Sequence, residues 1–486
     1  MTTGNFESRS PLRPIGLGAL LLSLCLGLPG VAASDVFNTE AGISKDAAQP
    51  LLNDGDACRR GPVPSPLTLF EAIERTLCES PKTRGAWAAV KAAAAGLGQA
   101  KSAYLPTLDG SAAAGHDRNR TEVTAAPGLN SDYSQNVNLE SLQLAWVLYD
   151  FGGRSAAVKN GKQLLLAAQA NQNAILQSVF AATARDYYAA QAAAAKVESA
   201  RRIENFSQKN FDAAGARYKS GVVPVTDQYQ ANTAYAQAVY ERAAAEGAYR
   251  LALGTLAVDM SLSPDYALSM PPMDQSAQPD ARFVHAVRDL LDEATASHPS
   301  VVAAKAQWQA ALENVRVVRA EGLPKLGVAG SLDRSSQPLN ATVGTLDYPS
   351  VSHSSSIGLT LQVPLFSGFN QDYKIRQAQA AADAQEQALR DAQQQVSLGV
   401  WSNYQLLQTD TENLNNTDIV LQSARQAFEA ASQRYQSGVG NILELLNSQA
   451  TLAAAEQQRI HAQLEWRTAR LQLAASLGSL GMWAIK

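Results

Sequence analysis

The sequence predicts an α+β protein built from two tandem copies of one unit, each joining a membrane-type β-hairpin to a very long helix. Three observations carry that reading. The motif Arg217-Tyr218-Lys219-Ser220-Gly221-Val222 returns as Arg434-Tyr435-Gln436-Ser437-Gly438-Val439, at an offset of 217 residues. Apolar residues alternate at Leu142, Leu144, Trp146 and Leu148, and again at Ile357, Leu359, Leu361, Val363 and Leu365, as in strands with one apolar face. Residues 153–218 and 369–435 contain no proline, and each would run about 100 Å as a helix.

From the N-terminus, Arg9 and Arg13 precede an apolar run over residues 15–28 and then Val31-Ala32-Ala33, the three parts of an export signal cleaved after Ala33. A run of about 14 apolar residues is too short to span a bilayer as a helix. Cys25 follows Ser23-Leu24, where a lipid-attachment site would need small residues, so no lipid anchor is expected. Residues 34–66 form a polar segment. Export leaves Cys58 and Cys78, an even pair suited to a disulfide in an oxidising compartment.

Repeat 1, residues 67–262, reads as a helix over 67–104 halted by Leu105-Pro106, two strands, the long helix, a turn at Ser220-Gly221 and a last helix over 226–260. Repeat 2, residues 282–486, has the same order: a helix over 282–322 halted by Leu323-Pro324, two strands, the second long helix, Ser437-Gly438 and a last helix over 441–480. Residues 263–281, with four prolines, link the copies. The Leu-Pro pairs stand at offset 218, so one residue is gained or lost between the strands of a hairpin. Polar stretches over 117–136 and 335–354 are expected as long outer loops.

Two hairpins supply four strands, too few to close a barrel, and an open strand edge in lipid would leave backbone groups unpaired. Several chains must therefore share one barrel, of 8, 12 or 16 strands for two, three or four chains. A small barrel fills with its own side chains, so a conducting one needs three chains or more.

Composition excludes other classes. Hydrophobic residues make up 46% of the chain, yet alanine dominates and aromatics are 7%, which favours closely packed helices over a thick core. A net charge of −4, without a basic run interleaved with aromatics, gives no basis for a nucleic-acid partner. His116, His285, His298, His353 and His461 lack metal-ligand spacing. Neither a nucleophile elbow nor a phosphate loop appears, so no cofactor, resident metal or enzymatic activity is expected. A periplasmic coiled-coil adaptor would also have long Ala- and Gln-rich helices, but has no use for two alternating hairpins in the same register.

The set formed by Leu-Pro after the first helix, Leu148-Tyr149-Asp150-Phe151-Gly152-Gly153-Arg154 after the second strand, and the Arg-Tyr-x-Ser-Gly turn resembles the TolC family of outer-membrane channels, in both copies. The resemblance implies a homotrimer, a twelve-stranded barrel in the outer membrane, and a helical tunnel through the periplasm. It implies partners too: a periplasmic adaptor and an inner-membrane ABC exporter or proton-driven pump, which open helix-turn-helix tips closed at rest. Thr226, Asp227 and Tyr435 match positions that hold the closed tip, and Glu444 and Asn447 match an acidic ring at the constriction. Asn447 is uncharged and Gly440 replaces a basic partner, so a strong ionic latch is not expected. Gly221, Val222, Gly438 and Val439 match the tips on which the adaptor docks. Repeated by symmetry, Glu444 would focus cations at a narrow mouth. Leu77-Cys78-Glu79-Ser80-Pro81 with Trp87 resembles the channels paired with type I protein exporters, with small-molecule efflux as the alternative client.

Overall fold

The computed structural model describes residues 35–52, 58, 61–273, 287–336, 339–340, 347–348 and 350–480. The export signal, Cys25, His285 and residues 274–281 of the interrepeat linker lie outside the described residues. The described elements run α1 (Gln49–Leu52), α2 (Leu69–Glu79), α3 (Pro81–Ser102), β1 (Thr107–Thr121), β2 (Ser131–Tyr149), α4 (Gly153–Lys219), α5 (Val225–Asp259), α6 (Val287–Ser297), α7 (Pro299–Glu321), β3 (Lys325–Ser336), β4 (Leu339–Asn340), β5 (Asp347–Tyr348), β6 (Val351–Gln362), α8 (Asn370–Gln436) and α9 (Ile442–Ser476). The chain divides into two compact units, one holding the sheet with the neighbouring helix ends, the other holding the remaining helical segments.

In the first unit the main sheet is antiparallel with strand order β1-β2-β3-β6. Register puts Leu108 opposite Leu144, Leu142 opposite Leu332, Val328 opposite Leu359, and Leu326 opposite Leu361, all on one face. The other face carries Asp109 opposite Gln143, Gln143 opposite Ser331, and Ser331 opposite Ser356. One face is thus apolar and the other polar, and both outermost strands, β1 and β6, have an unpaired edge in the sheet. Large apolar side chains stay uncovered within the chain, Ile357 at 80% and Leu359 at 72% exposure. The two hairpins are equivalent in register: Gly110 pairs with Leu142 in the first, and their counterparts Val328 and Leu359 pair in the second. The single-residue slip therefore falls in the outer loop and leaves both faces intact.

Where the strands meet the helices, the turn motif of the first copy has a local cause in its own chemistry. Asp150 accepts from the N–H of Arg154 at 2.7 Å, capping α4, while the Arg154 guanidinium donates to the carbonyls of Val147 at 2.6 Å and Leu148 at 3.0 Å. Phe151 and Gly152 turn the chain at φ of 52° and 91°. In the second copy Gly368 and Phe369 take the same left-handed conformation. Exposed aromatics gather at these corners, Tyr149 on Phe151 with ring centroids 4.9 Å apart and Phe366 on Phe369 at 5.6 Å. Aromatic rings at the end of an apolar strand band fit the girdle found at a membrane interface.

Four expectations are corrected. The single helix over 67–104 is two helices, α2 and α3, broken at Ser80, and that over 282–322 is broken at His298, leaving α6 and α7. Pro81 and Pro299 sit at the first position of the second helix, where the missing N–H costs nothing, and Ser80 and His298 accept from the N–H two residues on. The outer loop over 117–136 is largely strand: β1 extends to Thr121 and β2 starts at Ser131. Ladder bonds come from the backbone, so a hairpin continues past its apolar band on polar residues where alternation of hydrophobicity no longer marks it. In the second copy β3 and β6 likewise reach Ser336 and Val351, and β4 pairs with β5 between them.

In the second unit the long helices carry the packing. Phe180, Leu176 and Leu473 are fully buried or nearly so, and α2 lays Ile73 and Leu77 against Leu176 and Phe180. Each such side chain contributes roughly 1.5–3 kcal/mol by leaving water. A disulfide joins Cys58 to Cys78 across 20 positions, next to this cluster. Among the described residues no helix is long and apolar enough to cross a membrane.

Candidate functional site: the paired helix-turn-helix tips

Both long helices end in the same turn. The N–H of Val222 donates to the carbonyl of Arg217 at 3.0 Å and that of Gly221 to Tyr218 at 2.9 Å; Val439 to Arg434 at 3.1 Å and Gly438 to Tyr435 at 3.2 Å repeat the pattern. This is the Schellman cap, and its left-handed position falls on Gly221 (φ 73°) and Gly438 (φ 84°). Capping accounts for both glycines. The residues after them, Val222 and Val439, project into solvent at 71% and 72% exposure, an unusual position for valine.

The copies differ beyond the turn. Asn441 caps α9 by accepting from the Glu444 N–H at 2.7 Å, whereas Pro224 before α5 offers no side-chain cap. Gly440 packs so tightly that a Cβ there would lie 2.9 Å from the Tyr435 nitrogen and 3.0 Å from the Arg434 carbonyl carbon. A basic side chain at 440 has no room, which is the local reason for glycine at that position.

Tyr435 is buried at 3% exposure with Ala214, Ala231, Ile442 and Leu445, in a cluster that both copies build. Burial raises the pKa of its hydroxyl, while the Arg217 guanidinium pulls the other way. Arg217 lies 4.4 Å over the Tyr435 ring and donates to the carbonyls of Tyr435 at 2.5 Å and Gln436 at 3.0 Å, so one copy's arginine caps the other copy's long helix. Glu444 and Asn447 are exposed and one helical turn apart on α9. Glu444 is not isolated: Arg434 Nε stands 3.4 Å from its carboxylate. Thr226 is exposed and Asp227 half-buried in the first turn of α5. The structure thus brings Tyr435, Asp227 and Arg217 into one electrostatic neighbourhood.

Behind the tip, α4 and α9 are joined by polar pairs. Glu456, 8% exposed, accepts from Ser199 and from Arg202 at 3.0 Å, and Gln449 bonds Ser207 and Asn210. Leu421 and Ala424 of α8 pack on Leu452 and Ala455 of α9, and Arg201 and Arg242 of α4 and α5 pair with Glu246 and Glu204. α4 and α9 thus form the inner pair, with α5 and α8 at the outer positions; towards the tip α5 also touches α9 and α8 touches α4.

The family model for outer membrane efflux proteins matches this chain twice, over residues 72–258 and 290–479. The chain belongs to the outer membrane efflux protein family. It is 31% identical over 418 residues to Protein CyaE of Bordetella pertussis, covering 85% of each chain, and 22% identical over 418 residues to outer membrane protein TolC of Escherichia coli, covering 85% of this chain and 82% of that one. In fold it matches the crystal structure of outer membrane protein VceC from Vibrio cholerae, with a TM-score of 0.70 at 21% identity over 84% of this chain and 96% of that one. As an outer membrane efflux protein it is a duplicated α+β channel component, sited in the outer membrane with a helical periplasmic extension. The residues missed by sequence reasoning in this efflux protein are Arg217 and Arg434. Their signal was present in the repeated Arg-Tyr pair, but only the fold shows that the first arginine reaches the second tyrosine.

Proposed function

We propose that three copies of this chain close one twelve-stranded barrel and serve as the passive outer-membrane duct of a type I secretion system, carrying exported polypeptide. The observation that carries the channel reading is the four-stranded sheet with one apolar face, one polar face and two unpaired edges. Lipid cannot satisfy those edges, so copies of the chain must, and the polar faces then line an aqueous lumen. Adaptor helices would dock on Gly221, Val222, Gly438 and Val439, where the exposed valines offer apolar contact beside caps of minimal bulk. Thr226, Asp227, Tyr435, Glu444 and Asn447 would form the periplasmic constriction. Within one chain Arg434 stands beside Glu444, so the charge at the mouth depends on where that arginine goes in the assembly. Energy would come from an inner-membrane ABC exporter or proton-driven pump, the chain itself catalysing no reaction.

For the client, the likeness of Leu77-Cys78-Glu79-Ser80-Pro81 and Trp87 to the type I channels supports protein export. The description of the family as efflux proteins favours small-molecule extrusion as the second reading. Deleting the gene separates them: loss of a secreted protein with unchanged drug susceptibility supports the first, and the converse supports the second.

A further inference from the structure

Arg217 and Arg434 occupy equivalent places in the two copies, yet they have different partners. Arg217 reaches across to the other copy, over the Tyr435 ring and onto the last carbonyls of α8. Arg434 has no third copy to reach within its chain; it is 56% exposed and turns back to Glu444. The counterpart of its missing target is the end of α4, where Tyr218 is 43% exposed and the same Schellman turn presents the carbonyls of Tyr218 and Lys219.

We infer that Arg434 of one chain caps the end of α4 in the neighbouring chain, stacking on its Tyr218, as Arg217 caps α8 within a chain. The inference rests on the shared barrel proposed above. The helix order explains the geometry: α4 meets α9 inside the chain, so the equivalent contact of α8 is with the α5 of another copy. Both outer helices carry large side chains that nothing in the chain covers, Tyr229 and Tyr240 on α5 at 64% and 65% exposure and Ile419 on α8 at 66%. The seams are not chemically identical. Arg202 and Glu456, paired inside the chain, have Ile419 and Val239 as their counterparts, so the seam between chains is more apolar at that level and Arg434 is its polar anchor at the tip. Lys219 replaces Gln436, but its long exposed side chain can carry the ammonium into water and leave the carbonyl open. In this arrangement Arg434 leaves Glu444, so engagement of the neighbouring chain also sets the charge at the mouth.

The test uses the full mature chain purified in detergent, with its mass measured under native conditions. In the Tyr218→Cys/Arg434→Cys variant a short bis-maleimide is expected to give covalent dimers and trimers, which neither single variant gives. The Arg217→Cys/Tyr435→Cys pair is expected to give an intrachain bridge with no oligomeric band. A photo-crosslinking phenylalanine at position 218, with Arg434 intact, provides a route that does not depend on the double variant folding; its product should map to residues 430–440 of another chain. Crosslinks that are absent or confined to one chain in a protein of trimeric mass would overturn this contact alone. A monomeric mass would overturn it together with the shared barrel.

Discussion

The guanidinium of Arg217 lies 4.4 Å over the ring of Tyr435 and donates to that residue's own carbonyl oxygen, across 218 positions of sequence. One side chain therefore ties the end of the first copy's long helix to the end of the second's. It does so by three means at once: a ring contact, two hydrogen bonds to carbonyls of the helix's last turn, and a positive charge at a helix C-terminus.

Replacing Arg217 by Ala removes all three. The expected loss is about 1–3 kcal/mol in local stability of the tip, seen as faster amide exchange over residues 430–440 with little change near Phe180. Arg217→Lys should recover only part of it, because an ammonium lacks the planar fork that spans two carbonyls. Equal protection in wild type and Arg217→Ala would refute the cap.

Gly440→Ala tests the packing reason for glycine at that position. The added Cβ meets backbone and not a movable side chain. Overpacking of this kind costs typically 1–3 kcal/mol, so exchange should rise across residues 434–445. Gly440→Arg should disturb the turn in the same way without creating a latch.

The two faces of β6 make opposite predictions for neighbouring residues. Leu359 shares the apolar face with Val328, and Thr360 faces the other way, opposite Gly327. Leu359→Arg should destabilise the assembled barrel by about 2–4 kcal/mol, reducing the amount recovered from outer membrane. Thr360→Arg should be recovered near wild-type levels and alter conductance. Similar recovery of both variants would mean that the faces are assigned wrongly.

Asp259, at the end of α5, is pushed up to about 6 by burial and then by Asp186, with Lys82 and Arg185 acting in the opposite sense. A carboxyl raised in the folded state contributes stability below its unfolded value near 3.8, and that contribution is lost as pH rises through 6. Stability should therefore fall between about pH 4 and 6.5 by on the order of 1–2 kcal/mol, partial exposure keeping it below the full linkage value. Asp259→Asn should remove that slope and leave the protein more stable than wild type at neutral pH. Thermal melting across this pH range measures it, and parallel curves for the two proteins would contradict the assignment.

Periodicity and repetition alone determined the tandem units, the alternating strands, the proline-free rods, the glycine caps and the need for several chains in one barrel. These are properties of local sequence: the two-residue period decides which side chains share a sheet face, and a positive φ selects glycine wherever the chain turns. The tertiary structure decided what depends on partners distant in sequence. It carried the first hairpin beyond its apolar residues, because backbone pairing is indifferent to hydropathy. It gave Glu444 a cation, explained Gly440 by contact with the Arg434 and Tyr435 backbone, and brought Arg217 onto Tyr435. Those last relationships depend on which helix lies beside which, and no local pattern encodes that.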